Sequence, residues 1–251
     1  MDFERSHQIR LALEAAFVAA QGKPVAMIVG IGDVGKGVAA MIRRMSPLHH
    51  LVLVNRGAQR LAAVRLDLDL SDTPGGPIST IELDPGNPAE LDVLKGWLQQ
   101  TVNQIDLLVL AAGCAVPDEG SEPAYAANRP NWQLKTSVID AVAQYVHHLV
   151  VVGSMVTHLP EADVQSQIGY RTSMRELETR VSQLQVWMRG ENVNPFLAEH
   201  VFVWPCQLVQ GATAEKYKGL GFVHESQEIW TPQAHAEATL WPFIRGWWPL
   251  Q

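Results

Sequence analysis

A chain of 251 residues with 47% hydrophobic and 18% charged side chains can bury a full core and form one large α/β domain. Its formal net charge of −7 speaks against a nucleic-acid partner, because phosphate-backbone binding needs a clustered basic face. Cys114 and Cys206 are too few for a disulfide framework and read as buried thiols of a cytoplasmic protein.

The chain opens with Asp2, Glu4, Arg5 and Arg10 before an apolar stretch that Glu14 interrupts, a pattern of neither a signal peptide nor a membrane span. Leu11, Ala15 and Val18, with Leu13 and Phe17, recur at helical spacing. Residues 5–21 therefore read as an amphipathic helix within an N-terminal extension (1–23), covering a sheet face or a partner subunit.

The apolar run 25–29 leads into Gly30-Ile31-Gly32-Asp33-Val34-Gly35-Lys36-Gly37, a glycine cluster where a buried strand turns into a helix. Glycines there permit a tight turn, close backbone approach to a diphosphate and tight helix packing, and the helix N-terminus offers unpaired N–H groups. Two templates fit. As Gly-x-Gly-x-x-Gly the cluster is a dinucleotide site made by Gly30, Gly32, Asp33, Val34 and Gly35. As Gly-x-x-x-x-Gly-Lys it approaches a nucleoside-triphosphate loop, but position 37 is Gly where Ser or Thr would hold Mg²⁺.

A second apolar run, 51–54, ends in Asn55-Arg56, at the place where this kind of site reads the adenine-side ribose. An Asp or Glu there would accept the 2′-hydroxyl of NAD and repel a 2′-phosphate. Asn55 does not repel, Arg56 can grip a phosphate in bidentate fashion and Lys36 can add charge, so NADP(H) is favoured over NAD(H). The competing reading is a solvated arginine at a strand end.

A helix over 58–70, a strand at 78–83 closed by Asp84, a helix over 89–102, a strand at 105–110, a helix over 131–145 and a strand at 149–152 follow. The Pro- and Gly-rich spots 73–77 and 84–88 are short enough to be turns. Such alternation predicts one domain over 24–251: a Rossmann-like doubly wound parallel sheet with the ligand crevice at the carboxyl ends of its strands. The pairs His49-His50 and His147-His148 fall at predicted helix ends without metal-ligand spacing, so no metal site is expected.

Over roughly 24–215 these landmarks together resemble the short-chain dehydrogenase/reductase family. They are the glycine motif, Asn55-Arg56, Leu83-Asp84, the segment 105–113 ending in Ala111-Ala112-Gly113, the strand end Val151-Val152-Gly153-Ser154, and Tyr170-Arg171-Thr172-Ser173-Met174, which is similar to Tyr-x-x-Ser-Lys. The resemblance implies that Asp84 contacts the adenine, and that Ala111, Ala112, Gly113 and Pro205 lie against the cofactor. It implies an oxidoreductase acting on a small carbonyl or alcohol: hydride passes between nicotinamide and carbonyl carbon, Tyr170 donates a proton to the oxygen, and Ser154 hydrogen-bonds it. Asn131, or failing it Asn128, stands roughly where the family has a helix Asn.

The departures from that pattern matter equally. Position 174 is Met where the family has the Lys that binds the nicotinamide ribose and lowers the Tyr pKa; Lys135, Lys216 and Lys218 are candidate substitutes. Cys206 follows Pro205 where Gly is usual, and the interval from Ser154 to Tyr170 is long. Met174 also leaves open a second reading, a catalytically impaired NADP(H)-binding sensor or partner subunit. Residues 205–230, with Gly211, Gly219 and Gly221, read as a substrate loop. The resemblance implies a homodimer or homotetramer paired through helices 131–145 and 170–188. Trp230, Trp241, Trp247, Trp248 and Phe243 suit core packing, a substrate wall or a subunit contact.

Overall fold

A computed structural model describes residues 3–20, 22–71, 75–100, 105–113, 122–159, 168–191, 197, 199–207, 209–211, 214–215 and 229–247. Its centre is one six-stranded sheet: β1 (Val25–Val29), β2 (His50–Asn55), β3 (Ile78–Glu82), β4 (Ile105–Leu110), β5 (Val146–Val152) and β6 (Val201–Trp204). All pairings are parallel and the order is β3-β2-β1-β4-β5-β6. Helices cover both faces, which is why β1, β2, β4 and β5 read as nearly unbroken apolar runs rather than alternating ones.

One face packs under α1 (Phe3–Ala20), α4 (Pro88–Gln100), α6 (Pro130–Val142) and α7 (Ile168–Gly190). The other packs under α2 (Asp33–Met45), α3 (Ala58–Asp69) and a C-terminal helical run of α8 (Pro232–His235), a π-helical turn (Ala236–Leu240) and α9 (Trp241–Ile244). A short α5 (Glu122–Asn128) precedes α6 and leans on α7. The strand order reverses between β1 and β4, so the crevice that such sheets offer to ligands opens at the carboxyl ends of those two strands.

Three features differ from the sequence expectation. First, α1 does cover the sheet, through α4 and β3, but by the stripe Ile9, Leu13, Ala16, Phe17 and Ala20; Leu11, Ala15 and Val18 face solvent. The two stripes are nearly equal in apolarity, and the ring contact of Phe17 with Trp97 (4.8 Å) and the ion pairs of Arg5 with Glu82 and Glu90 select one. Second, β6 is a strand that its four residues do not announce, short and only half-buried. Third, His147 and His148 lie inside β5 rather than at a helix end, and His148 Nδ1 sits 2.9 Å from the Asp106 carbonyl oxygen. The aromatic tail packs only in part: Trp247 stacks on His148 (5.1 Å) and Phe243 on Phe202 (4.4 Å), yet Phe243 and Trp230 stay 55% and 44% exposed, and Trp248 lies outside the described residues.

Candidate dinucleotide cleft

The turn from β1 to α2 shows why its glycines are needed. Gly30 has φ +92°, the left-handed region, and a side chain there would run into the backbone of Ala112. A side chain on Gly35 would strike the Gly30 carbonyl oxygen, so α2 lies hard against the turn. Gly32 is the opposite case: it is the N-cap of α2, no side chain caps the helix there, and a Cβ on it would meet nothing within 4 Å. The turn is thus closed from behind and open at the helix N-terminus, the form that admits a diphosphate to backbone N–H groups. Val34 is half-buried against the core beneath α2. Gly37 packs on the backbone of Pro232, so this glycine serves helix packing and leaves no place for the hydroxyl of a triphosphate loop.

Asp33 turns toward the segment after β6. Its carboxylate fills the space a side chain on Gly211 would need, at φ +144°, which joins the glycine turn to that segment. Lys36 does not face the turn: its ammonium pairs with Asp67 of α3 at 2.5 Å. Arg60, in the first turn of α3, reaches the glycine turn instead, donating from Nε to the Ile31 carbonyl oxygen at 2.5 Å. Arg56 is exposed, without a hydrogen bond or ion pair among the described residues, and Asn55 is half-buried at the end of β2. Arg56 precedes the extended N-cap Gly57 and Arg60 lies in the first turn of α3, so no helical spacing in the sequence signalled Arg60.

At the end of β3, Asp84 makes an Asx turn, its Oδ1 accepting from Gly86 N (2.9 Å), while its own N–H donates to buried Glu90 (2.8 Å). At the end of β4, Ala111 N continues the ladder to Val29 O (2.9 Å), Ala112 lies behind Gly30, and Gly113 (φ +137°) adjoins the amide oxygen of Asn131. Asn131 and Asn128 are both buried, with Asn131 Nδ2 3.5 Å from Asn128 Oδ1, and the Asn128 carbonyl accepts from Ser173 Oγ of α7 (2.7 Å).

Beyond β5, half-buried Ser154 caps a 3₁₀ turn (Met155–Thr157); its Oγ accepts from Val156 N at only 3.4 Å, a weak contact that does not engage the hydroxyl proton. Tyr170 is half-buried in the first turn of α7. Met174 is 1% exposed and belongs to the core under α7, so the position four residues after Tyr170 offers no cation.

Lys135 of α6 is 4% exposed, and its ammonium donates to the carbonyl oxygen of Val152 at 2.6 Å. Burial pushes its pKa down to about 8, and pushes the facing Cys206 thiol up to about 12. Trp204 and Cys206, on either side of Pro205, lace the end of β6 to the Ser154 turn, through Gly153 N to Trp204 O (2.8 Å) and Met155 N to Cys206 O (3.1 Å). Lys216 and Lys218 lie outside the described residues, as do Gly219 and Gly221. The segment after Cys206 is pinned where Gln207 N donates to His235 Nε2 (3.1 Å) and Gln210 N to Trp230 O (2.9 Å). Among the described residues no group of His, Cys, Asp and Glu could hold a metal ion.

The sequence matches no family model and no curated protein sequence. Its fold does match solved structures. One, described as a short-chain dehydrogenase/reductase from Burkholderia xenovorans, superposes with TM-score 0.68 at 15% identity, covering 89% of this chain and 90% of that one. L-sorbose reductase from Gluconobacter frateurii, complexed with NADPH and L-sorbose, gives 0.65 at 16% identity over 88% and 89%. A short-chain dehydrogenase from Sphingobium yanoikuyae, complexed with NADPH, gives 0.63 at 20% identity over 88% and 85%. The chain has the Rossmann-like fold of the short-chain dehydrogenases/reductases.

Proposed function

We propose that this protein is an NADP(H)-dependent oxidoreductase of the short-chain dehydrogenase/reductase family, interconverting a small carbonyl compound and its alcohol. The observation that carries the reading is a glycine turn sealed behind by Ala112 and open at Gly32, on the same sheet edge as Ser154. The backbone of 30–35 and the N-terminus of α2 would hold the diphosphate, and Asp84 with Ala111 to Gly113 would flank the bound dinucleotide. Arg56, and Arg60 beside it, would take a 2′-phosphate that Asn55 does not repel. When bound, the reduced nicotinamide supplies a hydride to the carbonyl carbon. Ser154 donates a hydrogen bond to the carbonyl oxygen, Tyr170 gives its phenolic proton to the same oxygen, and Asn131 supports Gly113 beside them.

The cofactor choice is supported by four solved structures alike in fold that carry NADP or NADPH. A homodimer through α6 and α7 is supported by Val186 and Trp187, 69% and 49% exposed on the outer face of α7, beside Trp132 with Arg180 over its ring. A cytoplasmic setting agrees with the unpaired buried thiol of Cys206; no helix among the described residues is long and apolar enough to cross a membrane.

The test is a fluorescence titration with NADPH and NADH, followed by an aldehyde and ketone panel with reduced-nicotinamide absorbance recorded. Tighter NADPH binding with consumption that Tyr170→Phe removes is the expected result. Binding without consumption across the panel would replace the reading with that of a cofactor sensor, and equal affinity for the two cofactors would remove the 2′-phosphate role of Arg56.

A further inference from the structure

Among the described residues Lys135 is the only lysine or arginine that is fully enclosed, and its surroundings do not explain why it is there. An ammonium has three N–H donors. One is used by the Val152 carbonyl at 2.6 Å, and no acceptor among the described residues takes the other two. Among the described residues no carboxylate pairs with it there; the titratable group that faces it is the Cys206 thiol, which burial keeps protonated at neutral pH. A buried cation without a counter-charge is strongly unfavourable, and a Met or Leu of similar length would fill the same space without that cost. Retention of the charge therefore points to a ligand that completes its hydrogen bonds.

The location names the ligand's half. Val152 is the last residue of β5, immediately before Gly153 and Ser154, so the ammonium sits at the ligand edge of the sheet beneath the turn that carries Ser154. In a doubly wound sheet of this order the dinucleotide lies across the switch point, one nucleotide over each half. The adenine nucleotide belongs over β1 to β3, where Arg56 and Arg60 stand, and the nicotinamide nucleotide over β4 to β6. We propose that Lys135 is a ligand-binding residue of the nicotinamide half, its two open N–H donors taking the hydroxyls of the nicotinamide-side ribose. The assignment rests on the NADP(H) reading. It gives the site a cation from α6, while position 174 on α7 belongs to the core.

Lysine labelled with ¹³C at the ε-carbon gives a readout without turnover. In the free wild-type protein one lysine resonance, absent from Lys135→Met, titrates near pH 8, below the others, and saturation with NADPH moves that titration upward. NADPH affinity falls as pH rises from 7 to 9.5 in the wild type. It is at least tenfold weaker at pH 7 in Lys135→Met, flat with pH there, and recovered at pH 9.5 in Lys135→Arg, whose charge persists. NADPH binding that leaves the Lys135 resonance unmoved, with Lys135→Met binding within twofold of wild type, would overturn the proposal while leaving the cofactor reading intact. A wild type that binds neither NADPH nor NADH overturns the cofactor reading, and the ribose assignment with it. If Lys135→Met does not fold, the wild-type resonance and its response to NADPH decide between the first two results.

Discussion

The two halves of the cleft are built on different principles. Over β1 to β3 the proposed ligand surface is backbone: Gly30 and Gly35 are fixed by what would collide with a side chain, and the helix dipole and N–H groups of α2 follow from the turn itself. Over β4 to β6 the proposed ligand surface is side chains brought from three separate elements: Asn131 and Lys135 from α6, Ser154 from the end of β5 and Tyr170 from α7. A backbone site tolerates almost no substitution at its glycines. In a side-chain site a cation that position 174 does not offer can come from a neighbouring helix, as proposed for Lys135.

That contrast is tested most severely at the turn. Gly30→Val puts a β-branched side chain at φ +92° against the Ala112 backbone. The expected outcome is destabilisation of about 3 kcal/mol or more, from strain added to overpacking, together with loss of measurable NADPH binding. Thermal melts and fluorescence titration check the two parts; a variant with wild-type melting and affinity would remove the backbone argument. On the other half, Tyr170→Phe should keep NADPH affinity and lower turnover by about 100-fold or more, the usual worth of a positioned proton donor. Single-turnover absorbance at saturating cofactor separates this from a binding defect.

These two halves were not equally legible. The glycine spacing, the run 51–54 and the β/α alternation carried the parallel sheet and the tight turn from β1 to α2, because local backbone chemistry and period suffice for them. Arg60 and Glu90 were missed, since their roles depend on where α3 and α4 lie over the loops: Arg60 on the Ile31 carbonyl, Glu90 under Asp84 N. Lys36 was assigned to the ligand, but Asp67, thirty-one residues away, holds it. Met174 could be seen as a departure, whereas its enclosure in the core could not, because which face of α7 turns inward depends on its packing against α5, α6 and β6. The strand β6 escaped notice for want of length and an alternating pattern.

The adenine half can be sharpened next. Arg56→Ala should weaken NADPH binding by about tenfold, on the order of one charge-assisted hydrogen bond, with NADH affinity unchanged. Arg60→Ala removes both a phosphate partner and the bond to Ile31 O, so it should weaken both cofactors and NADPH the more. Equal losses for the two cofactors in both variants would mean that the arginines shape the turn rather than read the phosphate. Parallel titrations of the two variants supply the ratio.

The smallest effect contrasts the ligand edge of the sheet with the opposite one. Along the amino-terminal edge His49, His50 and His148 are enclosed, and burial lowers the pKa of each below the usual histidine value. At the ligand edge His235 is lowered for the same reason, and its Nε2 accepts from Gln207 N, which requires the neutral ring. As pH falls below about 6.5 the unfolded chain takes up these protons before the folded one does. Stability is therefore fully present above that pH and declines progressively below it. The two edges separate by readout. His148→Gln should flatten the fall of the melting temperature between pH 7 and 5, with little effect on cofactor affinity at pH 7. His235→Gln should flatten it too, and should in addition loosen the segment at Gln207 at neutral pH, seen as faster amide exchange of Gln207. Unchanged exchange there would mean that the imidazole only packs on Trp204, 5.2 Å away, and does not anchor the segment that follows β6.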